Sequence, residues 1–259
     1  MTESLPFRKE YRMLKIISLN VERSKHLDRV FPFIQKESPD VLLLQEVLER
    51  DLSEFQKQSG LPNVVWLRDT FIDDPTNTSG QPDYSGIAIL SRHPFTSQGS
   101  EYYYMPVSGI ALEAKQMVDA RVTNAQGVVW AAMNHNGTSF TFATTHFTWT
   151  PDGYPNEDQE IDFLAAKEVL SKIGPHILTG DLNAPRGLGV WERFTALYDQ
   201  DNIPADIVTT IDPDLHRFGK RIAWTVDALF TAKEYRANDV RIVSGLSDHM
   251  AVVAQVSRR

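Results

Sequence analysis

The chain has no cysteine. Disulfides, thiolate zinc sites and a cysteine nucleophile are therefore excluded, and a reducing compartment, the cytoplasm, is the expected location. No apolar run approaches the roughly 20 residues that a membrane-spanning helix needs, so membrane insertion is not expected. The opening MTESLPFRKEYR lacks the apolar stretch of a secretory signal. An excess of positive charge is missing too: 26 Lys and Arg stand against 34 Asp and Glu, a formal net charge of −8. Proteins that grip long duplex nucleic acid usually present a basic face, so a processive nuclease is disfavoured. Action on phosphates stays open, because a divalent cation can supply the local positive charge. No G-x-S-x-G elbow occurs, which counts against a serine hydrolase triad. Linkers, low-complexity tracts and internal repeats are also lacking. A single domain over 13–259 behind a tail at 1–12 is expected.

What is present is ordinary for a globular protein: 259 residues, 42% hydrophobic and 23% charged. Apolar runs at 14–19, 41–44, 86–90, 128–133, 140–145, 176–179, 224–230 and 250–256 read as strands. Asn136-Gly137 between two of them is a hairpin signal. Leu27, Val30, Phe31 and Ile34 have helical spacing, with Pro32 expected to delay or kink that helix. The clearest helix spans 157–172, capped by Asn156, with Ile161, Leu164, Ala165 and Val169 as its inner face. Strands outnumber helices, which points to an α/β (α+β) sandwich of two mostly antiparallel sheets with helices outside, four layers in all.

One regularity carries chemistry. Apolar strands repeatedly end in, or begin just after, a residue able to bind metal or move protons: Asn20, Glu46, His146, Asp181 with Asn183, and Asp248-His249. Groups at strand ends can converge on one rim of a sheet. Asp227 lies inside the apolar run Trp-Thr-Val-Asp-Ala-Leu-Phe, where a carboxylate is costly unless paired, and a histidine is the natural partner. Each residue alone has a plainer explanation. Asn20 and Asn183 suit turns, Glu46 a solvated strand end, His146 a satisfied core position, and Gly180-Asp181-Leu182-Asn183 an Asx turn. The ordered set says more than its members.

That set is Ser-Leu-Asn (18–20), Leu-Gln-Glu (44–46), Gly-Ile-Ala-Ile-Leu-Ser-Arg (86–92), Thr-Thr-His-Phe (144–147), Gly-Asp-Leu-Asn (180–183), Val-Asp-Ala-Leu-Phe (226–230) and Ser-Asp-His (247–249). In this order it resembles the endonuclease/exonuclease/phosphatase (DNase I-like) superfamily. The resemblance implies a Mg²⁺-dependent phosphoesterase, with Mn²⁺ able to replace Mg²⁺. Water would attack the phosphorus in line, without a covalent intermediate. Glu46 would be a direct metal ligand, with Asn20 and Asp248 completing or supporting the shell. Asp181 would orient or deprotonate the water, and Asn183 and His146 would donate to phosphate oxygens. His249 would stabilise the transition state, held in its tautomer by Asp227.

The chain departs from the family pattern at Thr225-Val226-Asp227-Ala228, where relatives often read Arg-Ile-Asp-Tyr. Trp224 stands where some relatives line a sugar pocket, Glu22 where some carry an Asp near the metal, and Arg121 is a candidate for the basic residue many supply. Expected partners are a phosphoester, either a small molecule or a nucleic-acid end, and no obligatory protein. Substrate choice would lie in the loops 69–85, 101–119, 147–156 and 184–221, the second pair carrying Phe147, Trp149, Tyr154 and Trp191, the last also a local supply of Arg, Lys and His. The alternatives are a DNA/RNA end-processing or abasic-type nuclease and, of another class, a catalytically inactive binding module on the same fold.

Overall fold

The computed structural model describes residues 13–72, 83–106, 110 and 124–259. The proposed tail at 1–12 and Arg121 lie outside the described residues. In chain order the elements are β1 (Met13–Asn20), α1 (Leu27–Glu37), β2 (Val41–Leu48), α2 (Leu52–Ser59), β3 (Asn63–Ile72), β4 (Asp83–Ser91), β5 (Phe95–Tyr104), β6 (Gln126–His135), β7 (Thr138–His146), α3 (Glu157–Ile173), β8 (Ile177–Asp181), α4 (Gly189–Thr195), β9 (Gln200–Asp201), β10 (Asp227–Thr231), β11 (Tyr235–Val243) and β12 (Ala251–Arg258).

The strands form two six-stranded sheets, ordered β11-β12-β1-β2-β4-β3 and β5-β6-β7-β8-β10-β9. Each sheet has one parallel pair, β1–β2 in the first and β7–β8 in the second. Parallel neighbours need a crossover, and α1 and α3 supply it. The two halves therefore repeat one plan: two antiparallel strands, a helix-bridged parallel pair, and two more antiparallel strands. Leu14, Ile16, Val41, Leu43 and Ile89 of the first sheet pack against Ala131, Phe140, Phe142, Ile177 and Leu229 of the second. On the outer faces, Val30, Ile34 and Phe55 of α1 and α2 cover the first sheet. Phe163, Val169, Trp191 and Phe194 of α3 and α4 cover the second. The expected four-layer sandwich is thus present, and each large side chain fully buried in it contributes about 1.5–3 kcal/mol relative to exposure.

A buried hydrogen bond crosses between the sheets. Gln45 in β2 donates Nε2 to Thr144 Oγ1 in β7 at 2.9 Å, tying the two parallel pairs together close to their C-terminal ends. The Asn136-Gly137 hairpin forms as expected between β6 and β7, with φ of 49° and 76° at the two residues. No described helix is long and apolar enough to cross a membrane.

Two helix expectations need correction. Of the two effects expected of Pro32 the late start is absent, since α1 begins at Leu27 and Pro32 sits inside it. In α3, Ile161 and Leu164 are 50% and 59% exposed, while Gln159, Asp162, Phe163, Ala166, Val169 and Leu170 are buried. Two polar residues turn inward because they hold the preceding loop. Gln159 Nε2 donates to Thr148 O at 2.7 Å, and the Thr148 hydroxyl donates to Asp162 Oδ2 at 2.6 Å.

Candidate active site

The C-terminal ends of both parallel pairs point to one rim, and the candidate residues gather there. Asn20 closes β1, Glu46 lies near the end of β2, His146 closes β7 and Asp181 closes β8. β10 runs antiparallel to β8, so its first residue, Asp227, stands opposite Asp181. His249 lies two residues before β12, which is antiparallel to β1.

Local backbone geometry aims two of these side chains. Pairing of β2 with β4 slips between Leu44 and Val47, and Glu46 within that bulge takes a left-handed φ of 54°. A bulge of this kind re-aims a side chain that the regular pleat would send elsewhere. After β8 the turn is an Asx turn: Asn183 N donates to Asp181 Oδ1 at 2.8 Å, and Asn183 has φ of 48°. The Asx-turn reading of this segment therefore holds. Gly180 has φ of 136°, and any side chain there would collide with the Thr145 carbonyl of the neighbouring strand.

With Oδ1 occupied by the turn, Asp181 Oδ2 becomes the centre of the site. It accepts from Asn20 Nδ2 at 3.2 Å, stands 3.6 Å from His146 Nε2 and stands 3.5 Å from His249 Nε2. Each imidazole is backed by a second carboxylate. His249 Nδ1 meets Asp227 Oδ2 at 2.9 Å, and His146 Nδ1 lies 3.9 Å from Asp69 Oδ2. Burial disfavours the imidazolium of His249, but Asp227, Asp181 and Asp248 outweigh it and raise its pKa well above the usual value. Burial likewise opposes the His146 cation, and Asp69, Asp181 and Glu46 push its pKa up to about 9. Both imidazoles are therefore protonated near neutral pH, able to donate to an anion.

Asp69 was not anticipated from the sequence. It is buried in β3, accepts from the Ser85 hydroxyl at 3.1 Å, and stands to His146 as Asp227 does to His249. The one signal was an acid inside the apolar run Val-Val-Trp-Leu-Arg-Asp-Thr-Phe-Ile, the same oddity that marks Asp227. Asp227 itself is steadied by Thr210, whose hydroxyl oxygen accepts from the backbone N–H of Val226 and Asp227 at 3.0 and 3.1 Å.

The expected metal residues lie on the β1–β2 side. Asn20 Nδ2 donates to Glu46 Oε1 at 3.2 Å, as it does to Asp181 Oδ2, while its Oδ1 accepts from the backbone N–H of Glu22 at 3.1 Å, so Asn20 meets the Glu46 and Asp181 carboxylates as a donor here. Asp248 is largely buried near Glu46 and Glu22. Burial, helped by those two carboxylates and opposed by His249, pushes its pKa up to about 6. Among the described residues, Asp181, Asp227 and His249 bring three ligand atoms within 4.8 Å of one another. His249 already fills that triangle as an ion-pair partner of both acids, so a cation entering it would compete with the imidazolium. The acid-rich side around Glu46 and Asp248 fits a hard cation better, since Mg²⁺ keeps several waters and takes only one or two carboxylates.

Other candidates settle differently. Trp224 is half-buried and packs on Gly153, whose Cβ, if present, would stand 2.9 Å from its ring. Phe147 and Trp191 are core residues, whereas Tyr154 is 63% exposed on its loop. The basic supply of 184–221 is partly engaged: Arg186 donates to Ile203 O at 2.7 Å and to Asp201 at 3.2 Å, and Arg193 pairs with Glu160 at 2.9 Å.

Comparison with known proteins agrees with this geometry. The model of the Endonuclease/Exonuclease/phosphatase family matches residues 17–249. No curated protein matches the chain by sequence. Solved structures share the fold. An endonuclease/exonuclease/phosphatase from Bacteroides vulgatus is 18% identical, with 95% of this chain and 99% of that chain covered and a TM-score of 0.65. A mannosyl-6-phosphatase of Bacteroides thetaiotaomicron is 15% identical, with 94% and 99% covered and a TM-score of 0.63. The human Nocturnin catalytic domain with bound sulfate anion is 18% identical, with 96% and 94% covered and a TM-score of 0.65.

Proposed function

Because the chain belongs to the endonuclease/exonuclease/phosphatase family, we propose that it is a divalent-metal-dependent phosphoester hydrolase whose reaction centres on Asp181. The observation that carries this reading is the placement of Asp181 Oδ2 between two imidazoles, each with its own backing carboxylate. A structural ion pair needs one such dyad at most. Two dyads aimed at one exposed rim make a pocket of N–H donors for an anion beside a carboxylate that can take a proton. A catalytically inactive binding module would have no need of that second buried pair, whose desolvation is costly.

In this reading Asp181 orients the attacking water and receives its proton. His249 and His146 donate through Nε2 to the phosphoryl oxygens, where negative charge grows in the transition state. Asp227 and Asp69 hold the two rings in place and keep them protonated. Asn183, anchored by donating Nδ2 to Phe147 O at 2.9 Å, has a second amide hydrogen to offer. Glu46 and Asp248, with Asn20 at their side, would hold Mg²⁺ or Mn²⁺. The bound cation would offset the charge of these acids and polarise the phosphoryl group.

A chromogenic phosphoester tests the reading directly. Turnover should require Mg²⁺ or Mn²⁺, stop with EDTA, and fall on the order of 10²–10⁴-fold in His249→Ala. Full activity of that variant, or activity untouched by EDTA, would refute it. One observation favours a nucleic-acid end as the substrate: Tyr154 and the half-buried Trp149 and Trp224 lie on or against the 147–156 loop beside the site, where bases or sugars could stack. The net charge of −8 favours a small phosphoester or such an end over long duplex. A cytoplasmic setting fits the absence of cysteine.

A further inference from the structure

We infer that His216 is a third imidazole of the active site, a hydrogen-bond donor to the phosphoryl group that favours a terminal phosphate over an internal phosphodiester. The inference rests on the phosphoester hydrolase reading. Its ring lies 6.4 Å from that of His249, centroid to centroid, and nearly perpendicular to it at 83°. The ring is half-buried, within the electrostatic reach of Asp181 and Glu22.

Its hydrogen bonding fixes which nitrogen is available. His216 Nδ1 accepts from the backbone N–H of Phe218 at 3.2 Å, so the proton of the neutral ring sits on Nε2. Among the described residues, no protein acceptor takes that N–H. A donor left open beside the protonated imidazole of His249 is suited to a ligand oxygen.

The loop that carries His216 is built, not loose. Asp212 holds it from three sides: Oδ1 accepts from Asp214 N and Leu215 N at 3.0 and 3.1 Å, and Oδ2 accepts from Gly245 N at 2.6 Å. Asp212 N donates to Asp248 O at 2.8 Å, and Ile211 forms a β-bridge with His249 itself. His216 N donates to Asp212 O at 3.1 Å, and Gly219 N donates to His216 O at 2.7 Å. The segment bearing His216 is therefore welded to the segment bearing Asp248 and His249, which preserves the spacing of the two rings.

The number of donors bears on the substrate. A phosphodiester offers two non-bridging oxygens and a phosphomonoester three. His249, His146 and Asn183 already offer donors to the oxygens that both esters share, and His216 adds one more, which the extra oxygen of a monoester can accept.

Two esters with one leaving group, p-nitrophenyl phosphate and bis(p-nitrophenyl) phosphate, isolate this difference. His216→Phe keeps a ring and removes the donor. His216→Gln restores an N–H at similar reach. With Mg²⁺ present, the Phe variant should lose about 10²-fold in kcat/KM on the monoester and less than about 3-fold on the diester, with the Gln variant recovering most of the loss. An unchanged circular dichroism spectrum and Mg²⁺-dependent melting shift would show that the Phe variant is folded. Equal losses on both esters, no loss on either, no recovery in His216→Gln, or wild-type preference for the diester would each overturn the inference. A wild-type protein that hydrolyses neither ester overturns the hydrolase reading as well, whereas an active one indifferent to His216 overturns this role alone.

Discussion

Asp181 and Asp227 face each other across an antiparallel rung of β8 and β10, and their carboxylates take opposite nitrogens of one imidazole, that of His249. Side chains directly opposite on such a pair lie on the same face. The register of two strands thus delivers both acids, while a turn before β12 inserts the ring between them.

Asp227→Asn removes the larger of the charges that keep His249 protonated and leaves its size unchanged. Activity should fall on the order of 10²–10⁴-fold. The His249 pKa should drop, so that the alkaline limb of kcat against pH moves to lower pH. An alkaline limb unmoved in the variant would show that Asp227 is not what sets the protonation of His249.

Asp69→Asn should act on His146 in the same way. With its backing acid gone, His146 should titrate below about 9, and kcat should fall about 10–100-fold, the usual scale for a residue that orients another. NMR titration of the His146 ring in both proteins checks the first claim. A ring that titrates identically in the two would remove Asp69 from the site.

Asp69 also shows why part of this site was hidden in the sequence. The residues that the sequence singled out and the structure brings to one rim, Asn20, Glu46, His146, Asp181 and His249, end or adjoin strongly apolar central strands, where a polar residue stands out. β3 is an edge strand whose outer side faces solvent, so its pattern mixes Arg68 and Asp69 with apolar residues and does not announce a strand. β5 and β11 went unread for the same reason, being edge strands rich in polar residues. The register that pairs His146 with Asp181 and Asp181 with Asp227 is a long-range property no local spacing encodes. In α3 the inner face was misassigned because Gln159 and Asp162 are buried for their hydrogen bonds rather than for hydrophobicity.

Gly180→Ala tests the backbone beneath Asp181. The positive φ of 136° strains any L side chain, and the added methyl would drive into the Thr145 carbonyl. The variant should lose about 2–4 kcal/mol of stability and nearly all activity, since β7 and β8 must part to admit it. Denaturant unfolding measures the first effect. A neutral substitution would mean that this rung is far more pliable than its geometry implies.

His176, away from the site, gives a pH dependence of stability. It is buried, its Nδ1 donates to Gly174 O at 2.6 Å, and its Nε2 accepts from the Tyr198 hydroxyl at 2.6 Å. Burial lowers its pKa below the ordinary 6.5, so the folded protein holds the ring neutral. The unfolded chain binds the proton first as pH falls, and the stabilisation present above about 6.5 is then lost. The melting-temperature gap between wild type and His176→Asn should therefore shrink from pH 7.5 to pH 5.5. A gap that widens on acidification would contradict a neutral, buried His176.

Metal binding should appear as stability too. A cation held by Glu46 and Asp248 binds the folded state alone, so at about 100 times its Kd it adds roughly 2.7 kcal/mol, several degrees in Tm. Glu46→Gln should abolish most of that shift. The shift should also depend on pH. The Asp248 carboxyl, raised to about 6, holds its proton in acid, and a cation must displace it there. Mg²⁺ should therefore raise Tm more at pH 7.5 than at pH 5.5, and Asp248→Asn should flatten that difference. Thermal scans of the three proteins with EDTA, Mg²⁺ and Mn²⁺ decide it, and a pH-independent shift that survives in Glu46→Gln would place the cation elsewhere.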